Sequence, residues 1–224
     1  MLLWSSGFVG TKAGLLYAEP FTFLLVRFAA AAAILALIAF FARATWPTDR
    51  RLFWHLVVSG VLIHATYLGP NFWGASRGFP VGITALIGAL QPILTALVAQ
   101  RFLSERVRAI QWIGLVVGLV GIVMVLSDKI AFDWAYPIEL AGILWGIVSL
   151  TLGTLYQRRF CARMNIWSGS AVQLGVASMV MLVAAWGVES FRVEWTPAFM
   201  LAVGWLVFLS VAIYALMHVL FLHG

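Results

Sequence analysis

The stretch that decides the fold is PFTFLLVRFAAAAAILALIAFF, residues 20–41, in which Arg27 is the one charged residue. At about 1.5 Å of rise per residue, a helix of this length covers roughly 30 Å, the thickness of the hydrocarbon core of a bilayer. The run lacks the apolar–polar alternation of a membrane β-strand, and lipid accepts only helices or closed barrels as spanning structures. Residues 20–41 therefore predict a transmembrane helix.

Further apolar runs lie on both sides of this one. The chain of 224 residues is 63% hydrophobic and 10% charged, with a mean hydropathy of +1.02. A soluble domain carries about a quarter charged residues, so this composition does not cover a water-facing surface. We expect an all-α, polytopic transmembrane helix bundle of about eight spans, at residues 2–17, 20–41, 52–73, 81–102, 110–126, 138–156, 167–188 and 197–222.

The basic residues are distributed unevenly between alternate connectors. One side carries Arg43, Arg50, Arg51, Arg101, Arg106, Arg108, Arg158, Arg159 and Arg163. The other side carries only Arg77, Lys129 and Arg192, together with five acidic residues. Because arginine-rich connectors remain in the cytoplasm, the amino terminus is predicted to be cytoplasmic, in an inner (plasma) membrane. The arginines that fix the orientation in the membrane thus account for the formal charge of +6. Since the charge is explained in this way, we expect no nucleic-acid partner.

Two parts of the chain share a faint internal repeat. The matches are residues 3–5 (LWS) with 144–146 (LWG), 26–28 (VRF) with 172–174 (VQL), Trp54 with Trp205, and His64 with Tyr214. The matched spans are five apart, an odd number, so the two copies are predicted to cross the membrane in opposite orientations. Inverted repeats of this kind are typical of transporters, in which two similar halves alternate access to one central site.

Two blocks of the sequence resemble a known family. Residues 4–12 read WSSGFVGTK and are followed by VRF at 26–28. Residues 90–97 read LQPILTAL and lead through LSER at 103–106 to QWIG at 111–114. Together these blocks resemble the EamA family of the drug/metabolite transporter superfamily. The resemblance implies ten helices in two inverted five-helix repeats, and transport of small metabolites such as amino acids or related compounds.

The same resemblance divides the chain into two regions. Residues 1–126 correspond to a first five-helix repeat, and residues 138–224 to the first three helices of a second repeat. Gly224 aligns with Gly74, so we expect the second repeat to be truncated before its last two helices. We expect a secondary carrier or exporter that works by alternating access, with the lipid bilayer and a small-molecule substrate as partners. The alternative is a non-transporting membrane subunit or inactive fragment that acts by association with other helices, and a homodimer is compatible with either.

Two cations inside the apolar spans, Lys12 and Arg27, are the main candidates for a substrate site. Both are predicted to lie at similar depth, roughly 10 Å below the outer surface at helical rise. Ionised side chains inside a membrane normally face protein or water. Two such cations would attract an anion or a substrate carboxylate. The alternative is that each side chain snorkels to the lipid headgroups.

The remaining candidates are polar or aromatic residues. Pro92 removes a backbone hydrogen bond and clashes with the carbonyl of Gly88, which predicts a kink midway along the fourth span. The kink would let Gln91 and a freed carbonyl line a cavity, or it would serve packing alone. The other predicted substrate-binding residues are Tyr67 and Asn71 in the third span, Gln173, and the repeat-paired Trp4 and Trp145.

The sequence contains no recognisable catalytic, cofactor or metal pattern. It has no His or Cys ligand spacing and no Walker lysine loop, and the single Cys161 forms no internal disulfide. We therefore expect a protein that is not an enzyme and needs no cofactor or metal. Gly114, Gly118 and Gly121 predict close helix contact, either within the bundle or in a dimer.

Overall fold

The computed structural model describes residues 2–102, 109–129 and 136–223. The helices are α1 (Leu2–Gly14), α2 (Pro20–Phe41), α3 (Arg50–Gly60), a π-helical segment (Val61–Ala65), α4 (Thr66–Ser76), α5 (Val81–Gly88), α6 (Gln91–Phe102), α7 (Ala109–Lys129), α8 (Pro137–Phe160), α9 (Ile166–Val188) and α10 (Pro197–His223). Within these ranges, extended pairing is limited to one isolated antiparallel bridge between Ala18 and Val193. The predicted all-α architecture is confirmed.

Among the described residues, six helical segments are long and apolar enough to span a bilayer. They are Pro20–Phe41, Arg50–Ser76, Val81–Gln100, Pro137–Phe160, Ile166–Val188 and Pro197–Val219. The chain is therefore a polytopic helical bundle, as predicted. Helix α1 has 13 residues and ends at Gly14, three residues before the predicted end of the first span. The full number of eight spans stays a prediction.

Helices α2 and α9 form the centre of the bundle. Helix α2 buries large side chains, including Phe23, Leu24, Phe28 and Leu35. Helix α9 faces them with many small residues: Ser168, Gly169, Ser170, Ala171, Ala177, Ser178 and Ala185. Lipid is as apolar as these side chains, so close van der Waals packing holds such helices together, and small residues permit that packing.

Helix α8 packs on the third span through a line of glycines. A Cβ at Gly146 would lie 3.1 Å from the carbonyl oxygen of Tyr67, and one at Gly142 would lie 3.2 Å from Pro70. At Gly153 a Cβ would lie 2.8 Å from both Leu62 and Ile63. Gly153 therefore leaves no room for a side chain, and at Gly142 and Gly146 a Cβ would require the neighbouring helix to give way by a few tenths of an ångström.

The glycines of α7 behave differently. A Cβ at Gly114, Gly118 or Gly121 would meet nothing within 4 Å among the described residues. The large apolar side chains between them, such as Val117 and Val120, are exposed. Of the two predicted contacts of these glycines, packing within the bundle is therefore not seen among the described residues, and contact with another chain stays a prediction.

Two of the predicted spans depart from a continuous α-helix. The third span contains the π-helical turn Val61–Ala65, in which the hydroxyl of Thr66 donates to the carbonyls of Val61 (3.0 Å) and Leu62 (3.2 Å). The fourth span breaks at residues 89–90, where the amide of Ala89 donates to Ala85 and α6 restarts at Gln91. The break lies immediately before Pro92, at the position where the sequence predicted a kink.

Candidate functional site

A cavity of about 1000 Å³ lies between the helices. Its wall is largely apolar, and it includes residues from the first four spans and from α8, α9 and α10. At one end it reaches Ala162 and Asn165 in the linker between α8 and α9, and towards the other it reaches Ala75 and Val81. A cavity of this size, with a few polar groups in an apolar wall, has the character of a small-molecule site.

Arg27 is the central charged group of this cavity. It is the eighth residue of α2, so it lies roughly 10 Å along the helix axis from Pro20. Its Nη2 donates to the hydroxyl of Ser210 on α10 at 3.4 Å, and its guanidinium lies 5.9 Å from the ring centres of both Phe28 and Phe72. Its Nε is buried and has no hydrogen-bond acceptor within the described ranges. The cation is therefore held by weak contacts and retains an unused donor.

A pair of hydrogen-bonded side chains lies close to Arg27. The hydroxyl of Tyr214 on α10 and Nε2 of His64 form a hydrogen bond of 3.1 Å. His64 belongs to the π-helical segment, and its ring meets the edge of Phe28 at 6.0 Å between ring centres. The pair joins the third span to α10 across the cavity wall.

Tyr67 and Asn71 are one turn apart on α4, and both line the cavity. The amide Nδ2 of Asn71 donates to the carbonyl of Tyr67 at 2.7 Å, which fixes the side chain. Its Oδ1 is buried and accepts no hydrogen bond from any described residue. Gln91 lines the cavity from the start of α6, with the exposed Pro92 next to it.

The structure brings together four of the predicted site residues: Arg27, Tyr67, Asn71 and Gln91. Lys12 is exposed and does not line the cavity, so the expectation that Lys12 and Arg27 share one site is corrected. Trp145 is 58% exposed and also lies outside the cavity. The side chain of Trp4 lies outside the described part of the chain.

Gln173 is the other correction to the site. It is fully buried, and its Nε2 donates to the hydroxyl of Ser59 on α3 at 2.7 Å. It does not line the cavity. The side-chain amide of Gln173 joins α9 to α3 and does not contribute to the cavity wall.

The lining residues that were not predicted as binding residues include three polar ones around Arg27: His64, Ser210 and Tyr214. The sequence carried a signal for two of them, because the repeat places His64 opposite Tyr214. Ser210 had no such signal, since serine is common on apolar helices and bonds to its own backbone, as it does here to Leu206.

The two ends of the bundle differ in how their linkers are connected. We call the end with linkers 15–19 and 189–196 the glutamate end, and the end with linkers 42–49 and 161–165 the arginine end. At the glutamate end, Glu189 accepts hydrogen bonds from the amides of Phe21 and Thr22 and from the Thr22 hydroxyl, at 2.7–2.8 Å. Glu189 thereby caps α2 from the other half of the chain, where the helix dipole favours a carboxylate.

Glu19 makes the reciprocal connection at the glutamate end. Its carboxylate accepts from the amide and hydroxyl of Ser190 and from the amide of Arg192, at 2.8–3.1 Å. Backbone hydrogen bonds from Glu19 to Arg192 and from Glu194 to Tyr17 complete the contact. We refer to this set of hydrogen bonds as the glutamate clasp.

The arginine end has no equivalent clasp. Among the residues with described positions, no hydrogen bond joins linker 42–49 to linker 161–165. The nearest equivalent is a hydrogen bond from the hydroxyl of Ser168, on α9, to the carbonyl of Thr45 at 2.6 Å. Among the described linkers, only 161–165, at this end, lines the cavity.

Comparisons with known proteins place the chain among membrane transporters. Residues 1–127 match the model of the EamA-like transporter family. The uncharacterized transporter YvbV of Bacillus subtilis (strain 168) is 26% identical over 231 residues, which cover 94% of this chain and 72% of that protein. The uncharacterized inner membrane transporter YedA of Escherichia coli (strain K12) is 26% identical over 186 residues, which cover 82% of this chain.

Other comparisons are narrower. Protein PecM of Dickeya dadantii (strain 3937) is 35% identical over 74 residues, a third of this chain. The chain spans 58% of the length of the E. coli transporter. No solved structure matches this chain. The family model covers more than half of the chain and agrees with a polytopic bundle around a central cavity. The chain belongs to the EamA-like transporter family.

Proposed function

We propose that this membrane transporter is a secondary carrier that moves small metabolites, such as amino acids or related compounds, by alternating access. The observation that carries the proposal is the cavity of about 1000 Å³ with the partly unsatisfied Arg27 in its wall. An ionised side chain inside a membrane protein is costly, and its usual role is in a substrate or ion pathway. Residues 1–126 and 138–224 would form the two inverted repeats that alternate.

The hydrogen bonds between the proposed repeats support this arrangement. Arg27 on α2 bonds Ser210 on α10, and its repeat partner Gln173 on α9 bonds Ser59 on α3. Extending the match of Trp54 with Trp205 along the helices pairs Ser59 with Ser210. The two hydrogen bonds are therefore equivalents of each other under an inverted repeat.

The π-helical segment accounts for a one-residue difference between the repeats. Trp54 and His64 are ten residues apart, whereas Trp205 and Tyr214 are nine apart. A π-turn accommodates one extra residue in a helix, and the segment Val61–Ala65 lies between Trp54 and Thr66. Helix α10 is α-helical throughout. The extra residue thus brings His64, the partner of Tyr214, to the cavity.

The two ends of the bundle support alternating access. The glutamate clasp joins two linkers at one end, while linker 161–165 lines the cavity at the other. The arginine distribution assigns the arginine end to the cytoplasm. We therefore take this conformation as open towards the cytoplasm and closed towards the outside.

The proposal is tested by counterflow in proteoliposomes. Vesicles that contain the purified chain would be loaded with a mixture of unlabelled amino acids and organic acids, and uptake of each labelled compound would be measured. We expect uptake that is saturable and is lost in Arg27→Met, whereas Lys12→Met, a change to an exposed cation outside the cavity, leaves it intact. Equal uptake in protein-free vesicles, or in Arg27→Met, would contradict the proposal.

The second candidate is a non-transporting membrane subunit. The glycines Gly114, Gly118 and Gly121 of α7 favour it, because a Cβ there would meet nothing within 4 Å among the described residues, and small residues permit close contact with a helix of another chain. Stable self-association in detergent without counterflow of any compound would support this alternative over the carrier.

A further inference from the structure

The charges that line the cavity indicate which class of substrate it accepts. The described lining residues include two arginines, Arg27 and Arg158, and no Asp or Glu. The one described glutamate buried inside a span, Glu139 at the start of α8, does not line the cavity. Arg158 lies near the end of α8 and close to the arginine end, so Arg27 is the cation of the inner cavity.

The surroundings of Arg27 leave its positive charge uncompensated. Its described contacts are a serine hydroxyl and the faces of two phenylalanines, which are neutral groups. The nearby polar pair, His64 and Tyr214, satisfies itself with its own hydrogen bond. In a medium of low dielectric constant, a cargo with one negative charge neutralises such a site. A zwitterion or a neutral solute leaves the net positive charge in place.

We propose that the cavity selects monoanionic carboxylates with an apolar body over zwitterionic amino acids of the same shape. This inference rests on the proposed transport function and specifies its substrate class. The carboxylate would accept hydrogen bonds from Arg27, whose Nε is unused, and the geometry of guanidinium favours paired bonds to a carboxylate.

The rest of the wall suits an apolar body. Phe28 and Phe72 flank the guanidinium, and Leu68, Leu174 and Leu206 extend the apolar surface. The volume of about 1000 Å³ is at the upper end of small-molecule sites, so a ring or a branched chain fits without clash.

The test uses four probes of nearly equal shape that differ in charge. They are 3-phenylpropionate (anion), phenylalanine (zwitterion), 3-phenylpropionamide (neutral) and 2-phenylethylamine (cation). Binding to the purified chain in detergent would be measured by equilibrium dialysis. Competition would be measured in the counterflow assay. We expect 3-phenylpropionate to bind about tenfold more tightly than phenylalanine, and the amine not to bind.

Three variants separate the roles of charge, geometry and fold. Arg27→Met should abolish the preference for the anion, Arg27→Lys should keep a weakened preference, and Lys12→Met should leave it unchanged. Equal or tighter binding of phenylalanine, or anion binding that is unchanged in Arg27→Met, would overturn the monoanion proposal. If phenylalanine is transported at least as well and its uptake depends on Arg27, the carrier function stands and only the substrate class is wrong. If no probe binds and no compound shows counterflow, both proposals fail.

Discussion

At the scale of single residues, Arg27 is where stability and proposed function oppose each other. A cation at the centre of a membrane helix costs about 2.5–3.5 kcal/mol on insertion scales. Its described contacts, a 3.4 Å hydrogen bond and two ring faces, offset only part of that cost. Residues kept at such a cost are expected at functional sites, where activity and stability trade against each other.

The first prediction follows from this opposition. Arg27→Met keeps most of the side-chain volume and removes the charge, so the variant should unfold at a higher temperature in detergent, by a few degrees. Lys12→Met is the matched control, since Lys12 is exposed and should change the unfolding temperature less. A lower unfolding temperature for Arg27→Met would mean that the arginine is held by contacts stronger than those described.

Gln173 gives a second prediction for a single residue. Unlike replacement of Arg27, its replacement should lower stability and leave substrate binding unchanged. Gln173→Leu removes its hydrogen bond to Ser59, in a fully buried contact between α9 and α3. We expect a loss of about 1 kcal/mol in stability, measured by thermal unfolding, with substrate affinity unchanged because Gln173 does not line the cavity. Weaker substrate binding at unchanged stability would restore Gln173 to the site.

At the scale of helices, close packing restricts the size of the residue at particular glycine positions. Gly153→Ala would place a Cβ 2.8 Å from Leu62 and Ile63, within the contact between α8 and the third span. We expect a destabilisation of about 1–3 kcal/mol, because the helices must separate. Gly175→Ala on α9 is the control, since its Cβ would meet nothing within 4 Å, and it should be neutral or slightly stabilising. Similar unfolding temperatures for the two variants would contradict the packing.

The helices themselves were predictable, because apolar runs of sufficient length identify spans in a bilayer. The interruptions were predictable only where a residue marks them. Pro92 marked the break at residues 89–90, whereas nothing in VLIHA, residues 61–65, marks a π-turn. The carbonyl of Leu62, within this turn, accepts hydrogen bonds from the hydroxyl of Thr66 in the next turn and from the hydroxyl of Ser149 on α8. The contact with Ser149 cannot be predicted from the local sequence.

The site was predictable in part for a related reason. Arg27, Tyr67, Asn71 and Gln91 stand out because they are polar inside apolar spans. The direction in which each side chain points is not encoded, since the lipid-facing and protein-facing sides of such helices are both apolar. Trp145 and Gln173 were therefore assigned to the site although one faces outward and the other faces α3.

At the scale of the whole molecule, orientation is the first property to test. Cysteines placed at Ala162, in the arginine end, and at Ser76, near the glutamate end, are both on exposed positions. After Cys161 is replaced by Ser, a membrane-impermeant thiol reagent should label Ala162→Cys only from the cytoplasm and Ser76→Cys only from outside. The reverse pattern would invert the topology and, with it, the assignment of the open end.

The glutamate clasp defines what must change during transport. Glu19 and Glu189 join the two linkers of the glutamate end to each other, and linker 189–196 to the start of α2, through six hydrogen bonds to their carboxylates. Opening of this end requires those bonds to break together, whereas the arginine end shows no linker-to-linker hydrogen bond in its described residues. The proposed carrier requires this end to open when the arginine end closes.

Side-specific labelling of a cysteine inside the cavity tests whether the cavity around Arg27 is a transport site whose access alternates. Ile213→Cys, in a chain with Cys161 replaced by Ser, places a thiol on the cavity wall. We predict labelling from the cytoplasm that substrate slows, and little labelling from outside. Adding Glu19→Gln and Glu189→Gln should raise labelling from outside. Equal labelling from both sides before the clasp is changed, or no protection by any transported compound, would contradict the account.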